Sequence, residues 1–378
     1  MKLSAIRRLR SALIAATVLV LPLVSLTVSS GSALAKVGDM TEYPLPPGDS
    51  MPQAMAAGPD GNLWFAEGTG RVANMSTSGA VTGFDVPTSS SRIRDIAAGP
   101  DGNLWFTEET PDNHWKVAKV TTSGVFTEYP FPRVNSLPAS ITAGPDGNVW
   151  FTETEANRVA KITTLGVLTE YLMPTFNSWP ADIVAGPDGN LWVSEVNAKK
   201  VAKVTPSGDF TEYAVPDGGA GFLAVGQDGN VWFTDALKNK VGKMSTSGDF
   251  SEYPIPTNGS VPSDIAAGRD GNLWFIEADA NKLATMTPSG TVTEFPFPAP
   301  SSYPTGIAAG PDGNIWVTEQ IANKVARIVV GKPFSFSDLI ANPAEATVAG
   351  GLGAAIVLIA KLAFSKRRRD AARGRSQA

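Results

Sequence analysis

The chain has 378 residues, a net charge of −5, no cysteine and a single histidine. Disulfide staples, thiolate catalysis and Cys-ligated metals are therefore excluded, and a lone histidine forms neither a metal site nor a triad by itself. The first 35 residues carry +4 and residues 361–378 carry +6, which leaves −15 on residues 36–360; so acidic a domain repels phosphate backbones and argues against nucleic acid as a partner.

Residues 1–35 read as an export signal. Lys2, Arg7, Arg8 and Arg10 precede an apolar run from Ser11 to Val28, and Ala33-Leu34-Ala35 fits the small-x-small cleavage pattern.

From Gly58 onward the chain writes one phrase seven times: a G-x-D-G-N turn, an apolar residue and a tryptophan. The turn aspartates, Asp60, Asp101, Asp146, Asp188, Asp228, Asp270 and Asp312, are spaced by 41, 45, 42, 40, 42 and 42 residues. A period of this size built from strand-type residues predicts one four-stranded blade per repeat, hence an all-β, seven-bladed propeller over residues 41–330. In the third copy the expected strands are A-S-I-T-A-G, N-V-W-F-T-E, R-V-A-K-I-T and V-L-T-E-Y-L. The Asp-Gly turn predicts a tight hairpin with both corner residues at positive φ. The small inner strand suits the crowded axis, and the aromatic second strand suits the widening gap between blades.

The outer-strand segment, T-E-Y or a variant of it (Thr82-Gly83-Phe84, Ser251-Glu252-Tyr253, Thr293-Glu294-Phe295), also occurs seven times, but its first copy, Thr41 to Tyr43, precedes every turn motif and none follows Asp312. Thr41 to Pro46 is therefore expected to supply the outer strand of the last blade and close the ring.

Two rings of side chains are candidates for function. The loop entering each inner strand carries a variable residue on either side of a proline position. Met51, Trp179 and Tyr303 precede it, and Arg92 and Arg94 flank it where blade two lacks the proline. Repeat-to-repeat difference at one mouth reads as a binding surface with Trp179, Tyr303, Arg94, Arg92 and Met51 as contacts, loop drift with incidental packing being the competing account. The second ring is acidic. Glu67, Glu108, Glu153, Glu195, Asp235, Glu277 and Glu319 end the second strands. They could favour a cation, but one acid per blade reads first as part of the blade, bonded to loop N–H groups or to the Asn-Lys or Asn-Arg that opens the third strand. The insertion Glu109 to Lys116 holds the only histidine, His114, and an extra Trp115; it reads as a surface loop.

Residues 331–345 form a linker. Ala346 to Phe364 is apolar apart from Lys361, and Lys366 to Arg369 follow. Nineteen helical residues span roughly 28 Å, so 346–364 reads as a membrane-spanning helix with 365–378 as a basic cytosolic tail; a tail helix packing on another protein is the alternative.

The phrases G-P-D-G-N-L-W-F-T-E and T-E-Y-P-x-P resemble the repeats of the streptogramin B lyase (virginiamycin B lyase) family over Thr41 to about Val330. The resemblance implies a Mg²⁺-dependent C–O lyase that opens a cyclic depsipeptide by elimination. It places a histidine after the proline of the sixth inner strand, a Glu-Pro-His motif at the seventh, and a glutamate ending the seventh second strand. Here those positions read Ser263, Tyr303-Pro304-Thr305 and Glu319. Only Glu319, a candidate metal ligand, matches. Serine and threonine hydroxyls are too weakly acidic to act as the base. The expectation is a tethered, exported propeller that binds a small molecule, a peptide or a surface protein. The alternative is a diverged metal-dependent lyase or lactone-type hydrolase.

Overall fold

The computed structural model describes residues 35–331, except 47–49, 69, 113, 132–135 and 217. The export signal, linker, apolar segment and basic tail lie outside the described residues. Among those described, no helix is long and apolar enough to cross a membrane.

Among the described residues, twenty-eight strands form seven four-stranded antiparallel sheets. Six blades are made of consecutive strands. In the seventh, Pro304–Ala309, Ile315–Glu319 and Lys324–Ile328 are completed by Met40–Pro44, which pairs with the strand ending at Ile328 (Thr41↔Arg327, Tyr43↔Val325). The Lys324 ammonium meets Glu42, and Tyr43 stacks on Trp316 at 5.5 Å. The same contacts recur in the continuous blades, for example Lys200 with Glu212 and Trp192 with Tyr213. The closing strand thus reproduces a complete blade, as the displaced T-E-Y motif predicts.

Each motif tryptophan is fully buried and fills the gap to the following blade. Trp150 of blade three packs against Ile183, Leu191 and Val193 of blade four. Its indole N–H donates to the turn aspartate (Trp150 to Asp146, 2.9 Å), which also accepts from Asn148. This explains the fixed D-x-N-x-W spacing: one carboxylate bonds both the turn and the ring that wedges the blades apart. Lysines of the third strand cover several rings, Lys161 lying 5.1 Å from the Trp150 centroid.

The turn itself differs from the expected tight hairpin. Gly58 N–H donates to the Asn62 carbonyl at 2.7 Å and Gly61 N–H to the Gly58 carbonyl at 3.2 Å. Only the glycine has positive φ (Gly61, 76°). Pro59 and Asp60 take the two corners of an ordinary turn and the glycine absorbs the left-handed residue that follows, the three-residue solution for a hairpin.

Candidate functional site

The loops entering the inner strands and those joining second to third strands share one face. The chain enters and leaves on the other: Gly38 N–H donates to the Val329 carbonyl at 3.0 Å, and Val330 N–H to the Asn314 side chain beside the last turn motif at 3.2 Å.

On the first face most of the entering loops share elements of a common frame that motif reading missed, complete in blades four, six and seven. A serine two residues before the first proline of the inner strand bonds the asparagine that precedes the third strand. Ser178 donates to Asn157 Oδ1 through N–H (2.7 Å) and Oγ (3.0 Å), and Ser260 and Ser302 do the same to Asn239 and Asn281. The next residue is left-handed whatever its type: Met51, Leu137, Trp179, Val261 and Tyr303 have φ of 44°, 47°, 58°, 53° and 53°. Its carbonyl accepts the N–H that follows the second-strand acid, as in Gln320 to Tyr303 at 3.0 Å. Such conformations cost about 1–3 kcal/mol each and persist only where surroundings enforce them. In these five blades the frame therefore turns one side chain outward and leaves its identity free. Trp179, Met51 and Tyr303 are 40%, 45% and 49% exposed, so none is a core residue.

An axial cavity of about 550 Å³ opens on this face, within the range of small-molecule sites. Of the residues singled out from sequence, Arg92, Arg94, Tyr303 and Thr305 line it; Trp179 and Met51 stand outside it, and Ser263 and Glu319 do not reach it. Arg92 sits in the inner strand Arg92–Ala98 rather than in a left-handed rim position. Arg94 donates from Nε and Nη2 to Glu109 Oε2 (3.1 and 2.6 Å), and its guanidinium carbon lies 6.0 Å from the Trp115 ring. The insertion's extra tryptophan thus supports a cavity residue. Thr305 Oγ1 bonds the Pro52 carbonyl (3.2 Å) and Thr318 Oγ1 (3.0 Å), joining blade seven to blade one. The Ser263 hydroxyl is buried without a partner.

Three acids in the cavity escaped sequence reading. Asp95, Asp182 and Asp264 occupy the same register in the inner strands of blades two, four and six. Each bonds its own strand and the next blade: Asp95 accepts from Ile96 (2.8 Å) and Ile141 (2.9 Å), Asp182 from Ile183 (2.9 Å) and Leu223 (2.6 Å), and Asp264 from Ile265 (2.9 Å) and Ile307 (3.0 Å). Burial pushes all three up, Asp95 to about 7 and Asp264 well above the carboxylate range, with the other two acids adding repulsion at Asp264. The available signal was a charged residue inside an otherwise apolar inner strand, x-D-I, in every second blade.

The second-strand acids form no open ring. Glu67, Glu108, Glu153, Glu195, Asp235, Glu277 and Glu319 are at most 2% exposed. Glu67 makes the expected pairing with the third-strand cation, 3.3 Å from Arg71. Elsewhere the lysine goes to the outer-strand glutamate, as in Lys200–Glu212 (2.5 Å) and Lys282–Glu294 (2.7 Å). Blade five keeps the alternative expectation: Asp235 accepts from the backbone of Gly219 (3.1 Å) and Lys238 (3.0 Å). Burial raises Glu195, Glu277 and Glu319 to about 7. The outer-strand glutamates Glu212, Glu294 and Glu42 add repulsion to that burial, while Ser178, Ser260 and Ser302 beside the acids work the other way.

A sealed Glu319 is not a metal ligand in waiting. Among the described residues no group of three or more His, Asp or Glu side chains is arranged to hold a metal ion. The residues present do not fit a Mg²⁺ site. His114 opens into a separate hollow of about 530 Å³ beside blade two, its Nδ1 3.0 Å from Asp112.

Fold and site define a seven-bladed propeller with a ligand-sized axial cavity on the face opposite Gly38 and Val330. The profile of the virginiamycin B lyase family matches residues 27–221 and 219–344, and the chain belongs to that family. It is similar to a streptogramin B lyase structure at 32% identity and a TM-score of 0.73, covering 78% of this chain and 98% of that one. Selenomethionine-substituted virginiamycin B lyase from Staphylococcus aureus matches at 32% identity and 0.73, covering 78% and 99%. A catalytically inactive histidine-to-alanine variant of that enzyme with quinupristin matches at 31% and 0.73, again over 78% and 99%. A search of curated proteins gives no match.

Proposed function

We propose that this chain is a ligand-binding propeller on the lyase scaffold, without the lyase reaction. One observation carries the reading: the axial cavity is lined by no histidine, lysine or cysteine, while the only histidine sits in a different hollow. The relative's histidine-to-alanine variant is catalytically inactive, and here the two histidine positions implied by the resemblance hold Ser263 and Thr305. Neither hydroxyl has an activating neighbour. One is partnerless and the other bonds a carbonyl and a threonine. Arg92, Arg94 and Tyr303 contact the ligand in the cavity, and Trp179 and Met51 contact whatever part of it projects over the rim. The ligand is a small molecule, a peptide or a segment of a surface protein. With residues 1–35 as an export signal and 346–364 as a membrane anchor, the propeller is exported and tethered through its C-terminal end. Incubating the purified chain with quinupristin and Mg²⁺ tests the loss of chemistry: intact quinupristin by mass spectrometry is expected, and the ring-opened product at enzyme-like turnover refutes the reading.

A second reading, a diverged enzyme, is favoured by the axial aspartates, since carboxyls pushed towards neutrality can carry protons. It requires Asp95 or Asp264 to leave its two backbone partners during turnover. Asp264→Asn abolishing any hydrolytic activity of the chain on a lactone or depsipeptide panel, with its melting temperature unchanged, would favour this reading over binding alone.

A further inference from the structure

The axial cavity has a basic side and an apolar side. Arg92 and Arg94 stand at the start of blade two, and Phe222 enters from blade five, nearly opposite in a ring of seven. Ala139, Ala181 and Val196 line the wall between over blades three and four, with Ser140 and Asp182 bonded to each other beside them. Arg92 is exposed and its side chain makes no hydrogen bond or ion pair among the described residues. Arg94 is held from one edge by Glu109 and lies against Trp115, which leaves Nη1 uncommitted. A guanidinium fixed on one edge and open on the other is a ready donor for an oxyanion, and a neighbouring free guanidinium completes a two-arginine grip. Phe222 is 46% exposed and faces no partner of its own kind.

The three aspartates do not reverse this polarity. Each already takes up two backbone N–H groups, and they lie one residue or more further along the strands from the mouth than the arginines. Burial holds them towards their neutral forms. With their N–H bonds and partial protonation they present less than three full negative charges to a ligand.

We propose that the cavity takes an organic anion: a carboxylate gripped by Arg92 and the open edge of Arg94, joined to an apolar body lying along the alanine-lined wall against Phe222. This assignment rests on the binding reading above and narrows it to a ligand class. Phenylbutyrate, phenylbutanol and phenylbutylamine share one body and differ in the charge of the head. Saturation-transfer NMR titrations of the purified full chain with each probe separate the possibilities. The carboxylate is expected to bind about ten- to a hundredfold more tightly than the alcohol, the value of a charge-assisted hydrogen bond, and the amine not at all. Arg92→Gln brings the carboxylate down to the alcohol's affinity and leaves the alcohol unchanged; Arg92→Lys restores part of the difference. Phe222→Ala weakens carboxylate and alcohol alike. An amine that binds as well as the carboxylate, or a carboxylate indifferent to Arg92→Gln, overturns the anion assignment and leaves the cavity as a binding site. If no probe gives a Phe222-dependent signal, the binding reading falls with it.

Discussion

Two sets of carboxyl groups occupy this propeller, and they differ in repetition, burial and reach. The second-strand acids recur in all seven blades and are sealed from solvent, and Glu195, Glu277 and Glu319 lie beside serines of the entering loops. The axial aspartates recur in alternate blades, line a cavity and tie neighbouring blades together. What every blade needs is buried in every blade. What breaks the repeat lies where seven inner strands meet one space, and there the side chain can serve something other than the blade. The same contrast separates the motif tryptophans, fully buried, from Trp179, left-handed and exposed on the rim.

The sharpest way to break the comparison is to open the framework. Removing residues 40–44 strips blade seven of its outer strand, the Lys324 partner Glu42 and the ring stacked on Trp316. Loss of the cooperative thermal transition is expected; an intact transition would mean the ring closes without it. Next in size, Trp150→Ala should cost about 3–5 kcal/mol in denaturant unfolding. Trp179→Ala on the rim should stay within about 0.5 kcal/mol, and a comparable loss at both positions would erase the distinction between framework and rim.

Protonation sharpens it further. Glu195, Glu277, Glu319 and Asp95 have folded pKa values raised to about 7, so the native state holds protons that the unfolded chain releases near pH 4. Their contribution is full below that value and is lost as pH climbs to about 7. The turn acids Asp101, Asp146, Asp188, Asp228 and Asp312 behave oppositely. Burial works upward on them but is outweighed by bonds from tryptophan and asparagine, leaving them lowered; their contribution is present above about pH 4 and lost below it. The melting temperature should therefore peak at mildly acidic pH and fall towards about pH 8. Glu319→Gln should flatten the falling limb, and an unchanged slope would show that Glu319 is ionised in the native state. The smallest effect concerns the rim frame: Val261, β-branched at φ 53°, should gain up to about 1 kcal/mol on replacement by asparagine, which tolerates the left-handed region. A loss would show that its side chain packs as well as points outward.

Periodicity alone determined the architecture of this chain. Seven D-x-N-x-W phrases and a displaced T-E-Y segment fix blade number, strand order and closure, because each blade repeats one local solution and its hydrogen bonds are mostly made within a few residues or across one hairpin. The sequence also shows Ser263 and Thr305 at the positions where the family resemblance implies histidine. Tertiary structure decided the rest. Asp95, Asp182 and Asp264 lie 82 or more residues apart in sequence yet line one cavity, and no local pattern states that they share a space or that each is bonded by the next blade. Trp179 and Tyr303 are equivalent in sequence, but only Tyr303 lines the cavity. Glu319, which matched by motif, is sealed by its own loop, since burial and partner choice depend on how neighbouring strands converge on the axis rather than on the residues that flank them.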